Sequence, residues 1–143
     1  MNMTTNTPIL LPAAVLICWT LVMLFWLAIT RVPTMKKIKM HPQKFPRTQD
    51  LGAALPAEVQ WKADNYNHLM EQPTIFYATV FLLVLIGEGS GLSVILAWAY
   101  VGLRIAHSLV QATINKVMVR FTLFVLSSII LTMMAVSCLL ALL

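Results

Sequence analysis

Ile9 to Thr30 is a run of 22 residues without a single charged side chain. As a helix it would be about 33 Å long, against a bilayer hydrocarbon core of about 30 Å. A cleaved signal peptide would require a basic stretch ahead of a shorter apolar core. Met1 to Pro8 carries no Lys or Arg, and the positive charge follows the run instead. The run therefore reads as a membrane span. Over the whole chain, 59% of residues are hydrophobic and 10% charged, and mean hydropathy is +0.83. A 143-residue soluble domain cannot hide that much apolar surface, so its solvent is largely lipid.

Four spans follow, at approximately 9–30, 57–86, 92–112 and 117–143, making one all-α membrane domain over 1–143. Pro33, Pro42, Pro46 and Pro56 leave the stretch before Pro56 without regular structure in this reading, with Pro56 at the first helical position. The strictly apolar part of the second span, Thr74 to Ile86, has only 13 residues. At about 20 Å it cannot cross, so the polar segment before it enters the bilayer, with a kink expected at Pro73. The Gly87-Glu88-Gly89-Ser90-Gly91 run is a turn, and Ile114-Asn115-Lys116 a second short connection. Short connections pack such helices as an antiparallel four-helix bundle.

The net charge of +5 is 10 Lys and Arg less 5 Asp and Glu, and it is concentrated. Arg31, Lys36, Lys37, Lys39, Lys44 and Arg47 precede the first acid, Asp50. Beside a span, such a block marks a cytoplasmic loop, here 31–55, lying against anionic headgroups. It has no folded reading surface for nucleic acid, and none is expected as a partner. Both termini are then outside, periplasmic or lumenal. Cys18 and Cys138 lie in apolar runs and read as small buried hydrophobes.

Information about function lies in the polar residues within the spans. Asp64, Asn67, His68, Glu71 and Gln72 share a helical face by spacing, as do Arg104, His107, Ser108, Gln111 and Asn115. Counted from Gly89, Glu71 lies 18 residues before the turn and His107 18 after it, which sets them at one level. Arg120 reaches the same region from the fourth span, and Ser127 lies further along its side. Glu71 and Arg104 could form a helix-joining ion pair, and Arg120 could snorkel. Polar groups gathered at membrane depth point to a functional site.

The run Asn67-His68-Leu69-Met70-Glu71-Gln72-Pro73, the run Arg104-Ile105-Ala106-His107-Ser108, and Arg120 thirteen residues after the histidine resemble the MAPEG family, membrane-associated proteins in eicosanoid and glutathione metabolism. The likeness spans about residues 56–130 and suggests a divergent, bacterial-type member. It implies a homotrimer with glutathione bound between subunits near the cytoplasmic face and a lipophilic substrate arriving from the bilayer. By motif position Glu71 would hold the glutathione amino group, and His107 would lie near its cysteinyl part. Arg120 would be the catalytic residue that stabilises the thiolate, with Arg104, His68, Asn67 and Gln111 completing the binding site. A nearby cation makes a thiol nucleophilic by lowering its pKa, so that role is physically sound.

The chain also departs from the pattern. Eicosanoid-forming members have two arginines where Asp64 and Asn67 stand, an asparagine at His68, and a tyrosine at Gln111. Phe121 and Phe124 replace a serine and a tyrosine; Lys36, Lys37 or Lys62 could supply carboxylate contacts instead. The function implied is that of a glutathione-dependent transferase or peroxidase acting on lipophilic electrophiles, with glutathione as co-substrate and no metal or haem. The alternative is a non-catalytic trimer binding another small anion or lipid. A bis-histidine haem site at His68 and His107 would need the two rings facing across a gap. A proton-coupled exporter is disfavoured by a first span with no ionisable residue.

Overall fold

The computed structural model describes residues 7–143; the segment ahead of them, on which part of the orientation argument rests, lies outside the described residues. The chain forms α1 (Leu10–Lys37), α2 (Thr48–Ala53), α3 (Ala57–Leu69), α4 (Gln72–Leu85), α5 (Leu92–Thr113) and α6 (Val117–Leu142), with a 3₁₀ turn at Pro42–Lys44. Four units are long and apolar enough to cross a membrane: α1, α3 with α4, α5, and α6. The protein is an all-helical, multi-pass membrane bundle.

The first span is longer than its uncharged core. α1 runs through Pro33 to Lys37 instead of stopping at Thr30. Proline removes only its own N–H from the ladder, and its ring here lies on the exposed side. Thr30 donates to the carbonyls of Trp26 and Leu27, Thr34 donates to that of Thr30, and the buried Met35 anchors the last turn. At 28 residues α1 is about 42 Å long, so its final turns extend beyond the hydrocarbon and carry Arg31, Lys36 and Lys37. The proline-rich stretch is also more regular than expected. Pro42 opens the 3₁₀ turn and Pro46 precedes α2, positions where a missing N–H costs nothing. Pro56 is the N-cap of α3 and not its first residue, so the helix begins at Ala57, with Glu58 in the first turn.

At the opposite end Gly87 has φ +80° and closes α4, with Glu88 N–H donating to the Leu83 carbonyl at 2.8 Å. Gly89 is buried where a Cβ would come within 2.7 Å of Thr7, so only glycine admits this approach. Ile9 N–H donates to the Gly89 carbonyl and ties the start of α1 to this turn. Asn115, at φ 47°, ends α5 in the left-handed conformation.

Between the helices the core is continuous through Leu16, Met23, Phe76, Val80, Tyr100 and Met134. Phe76 stacks on Tyr100 with centroids 4.4 Å apart. Of the two cysteines, Cys138 is buried as expected, but Cys18 lies on the exposed face of α1. It falls between the inward positions Leu16 and Thr20, and so turns away from the bundle.

Candidate functional site

The second span is broken, not merely kinked. α3 ends at Leu69 and α4 begins at Gln72, with Pro73 in the first turn of the new helix. Pro73 has no N–H to offer the Leu69 carbonyl, and Glu71 adopts φ −90°, ψ −96°. Local bonds re-satisfy the break: Met70 N–H donates to the Asn67 carbonyl at 2.9 Å, and the Thr74 hydroxyl donates to the Glu71 carbonyl at 2.6 Å. A third donor arrives from α5. Arg104, fully buried, donates from Nη2 to the His68 carbonyl at 3.1 Å. Its cation thus caps the negative end of α3.

That break decides where the acid goes. The Glu71 carboxylate is 68% exposed in this chain, and its Oε2 bonds His68 Nδ1 at 3.0 Å. The Glu71–Arg104 ion pair considered from sequence does not form, because the unwound turn carries Glu71 outward while Arg104 binds main chain. His68 is held on its other faces by aromatic rings. His107 meets it edge-on with centroids 4.8 Å apart, and Phe124 stacks on it at 5.5 Å. The two histidine rings touch, which leaves no gap for a porphyrin between them.

His68, His107, Val117, Arg120, Phe121 and Phe124 line a cavity of about 200 Å³ between α3, α5 and α6. Arg120 reaches it from the first turn of α6, with Nη1 bonded to the side-chain oxygen of Asn115. Of the residues that the register count converges, His107 and Arg120 line this cavity and Glu71 does not; His68 stands directly against His107 instead. Gln111 is buried one turn beyond His107 on α5. Arg104 Nε and Nη1, Gln111 Oε1 and Arg120 Nε are buried with no hydrogen-bond partner among the described residues. The guanidinium nitrogens are unused donors, and that of Arg120, which lines the cavity, suits an anionic or thiolate guest.

Not every residue on the expected face joins this group. Asn67 is exposed, and so is Asp64, which accepts from Gln60 Nε2 at 2.8 Å. Lys62 donates to the Glu58 carbonyl and lies 5.8 Å from the Trp26 ring centroid. Among the described residues no cluster of His, Cys, Asp and Glu has the geometry to hold a metal. One important residue was not singled out by spacing. Asn65 is fully buried and donates to Ser108 Oγ at 2.8 Å, while Trp19 Nε1 donates to the same oxygen at 3.0 Å. A signal for it existed: Leu69, Phe76, Val80 and Leu83 are the inward face of the span, and one turn back from Leu69 is Asn65. A second polar link, Gln72 to Ser128 at 2.7 Å, joins α4 to α6.

Four helices long and apolar enough to cross a bilayer, enclosing buried arginine and histidine, define an integral membrane protein with a polar cluster inside its bundle. The chain belongs to the MAPEG family, whose model matches residues 9–140 and so nearly its whole length. That family includes glutathione-dependent transferases and peroxidases. No curated protein and no solved structure matches the chain.

Proposed function

We propose that the protein is a membrane-bound glutathione-dependent transferase or peroxidase acting on lipophilic electrophiles. It works as a homotrimer, with the basic loop in the cytoplasm and glutathione bound between subunits near that face. The observation that carries this is the cavity at His68, His107 and Arg120, with a guanidinium nitrogen free of protein partners at its wall. At about 200 Å³ it is smaller than the roughly 300–1,000 Å³ of a complete small-molecule pocket. One subunit therefore accommodates the reacting end of a tripeptide, and a neighbour covers the remainder.

In that site the Arg120 cation favours the thiolate over the thiol. The thiolate attacks an electrophilic carbon that enters from the lipid past Phe121 and Phe124, apolar walls suited to a lipophilic substrate. Glu71, with one carboxylate oxygen engaged by His68, has the other for the glutathione amino group.

The test is spectroscopic. Purified protein with millimolar glutathione is expected to show thiolate absorbance near neutral pH, and Arg120→Leu is expected to abolish it while leaving the bundle folded. Arg120 stands at the exposed start of α6, so its loss opens no hole in the core. Absence of any glutathione signal in the native protein would favour a non-catalytic trimer that binds another small anion or lipid.

A further inference from the structure

His68 stands in this cavity where the eicosanoid-forming members have an asparagine. In this chain it forms a carboxylate–imidazole pair. Glu71 Oε2 lies 3.0 Å from Nδ1, so an ionised Glu71 draws the ring proton to Nδ1 and leaves Nε2 as a free acceptor. The ring cannot swing freely, since His107 meets its edge and Phe124 covers its face. It lines the same cavity as Arg120. An ordinary surface ion pair between residues three apart would need neither the aromatic clamp nor a cavity shared with a second cation.

We infer that His68 is the general base that takes the thiol proton, with Glu71 as its positioning residue. This rests on the glutathione assignment above. The S–H bond breaks as Nε2–H forms, giving an imidazolium balanced by the Glu71 carboxylate and a thiolate balanced by Arg120. The sulfur lone pair then forms the C–S bond, the bond to the leaving group breaks with its electron pair, and the Nε2 proton passes to that group. The charged and titratable groups that face His68 are Glu71 beside it in the chain, Arg104 and His107 from α5, and Arg120 from α6.

Proton counting separates this from a structural role. Glutathione is titrated into the full-length detergent-solubilised protein at neutral pH, with thiolate absorbance and proton release both recorded. If His68 keeps the proton, thiolate appears in the native protein with no net release to the buffer. His68→Asn is then expected either to lose the thiolate signal or to release about one proton per thiolate formed. Release of one proton per thiolate by the native protein would overturn the assignment to His68 while leaving glutathione binding intact. So would thiolate formation without release in His68→Asn, since His107 would then be the acceptor. Native protein that binds glutathione only as the thiol also overturns the base. Native protein that binds no glutathione removes the assignment on which this rests, and the base with it. Should His68→Asn fail to fold, ¹⁵N-histidine NMR of the native protein decides: a ring protonated at Nδ1 alone before binding, and at both nitrogens after, is expected, and an Nε2–H tautomer before binding overturns it.

Discussion

Arg104 Nη2 donates to the main-chain oxygen of His68 at 3.1 Å, so a fully buried cation on α5 closes the last turn of α3. Proline at 73 makes this necessary, because the ladder bond to Leu69 cannot form and the carbonyls around the break need other donors. The same contact fixes the backbone from which the His68 ring projects. Arg104→Ala removes that cap and leaves a hole, and is expected to cost about 3 kcal/mol. Thermal unfolding in detergent measures it, and a transition within a degree of native would show that the cap is dispensable.

Ser108 is the acceptor shared by Trp19 and Asn65, and so joins α1, α3 and α5 at one atom. Ser108→Ala strands the fully buried Asn65 amide and the Trp19 indole, and is expected to cost about 2 kcal/mol. Because Asn65→Ala deletes one of the same bonds, the double variant is expected to be more stable than the sum of the singles by about 1 kcal/mol. Strict additivity would mean that the three groups do not act together.

Topology follows from counting helices. Three spans separate Lys39 from Leu143, so reporters fused at the two positions are expected on opposite sides of the membrane. The charge block on the last turns of α1 and beyond sets the sign: Lys39 cytoplasmic and the C-terminus outside. Both reporters on one side would contradict the span count, and a cytoplasmic C-terminus with Lys39 outside would reverse the orientation.

Assembly is expected to cover the break in the second span. The Glu71 side chain is 68% exposed in a single subunit, and Asn67 is exposed one turn away. Polar groups at membrane depth are tolerated against protein or water, not against acyl chains. Native mass spectrometry from a mild detergent is therefore expected to show a trimer. Monomer alone under those conditions would leave the broken span facing lipid and would count against a shared site.

The four spans, the basic block after the first and the polar content of the second were legible in the linear sequence. Lipid enforces them residue by residue: a charge or an open backbone group in hydrocarbon is costly wherever it occurs, so run length and charge position suffice. Register counting from the Gly87–Gly91 turn set Glu71 and His107 at one level, and a count about the connection at 114–116 brought Arg120 to the same region, because rise per residue is nearly constant in a helix. It did not predict that α1 continues past Pro33, since the burial of Met35 that anchors the last turn depends on what packs around it. Nor did spacing reveal that Asn65 rather than Asn67 points inward, or that Glu71 pairs with His68 while Arg104 caps a carbonyl. The placement of Glu71 follows from the unwound turn at Met70 and Glu71, which carries that carboxylate outward. Helical periodicity carries the inward stripe through the break, from Asn65 and Leu69 to Phe76, Val80 and Leu83, but the polar partner that each side chain meets is settled by packing.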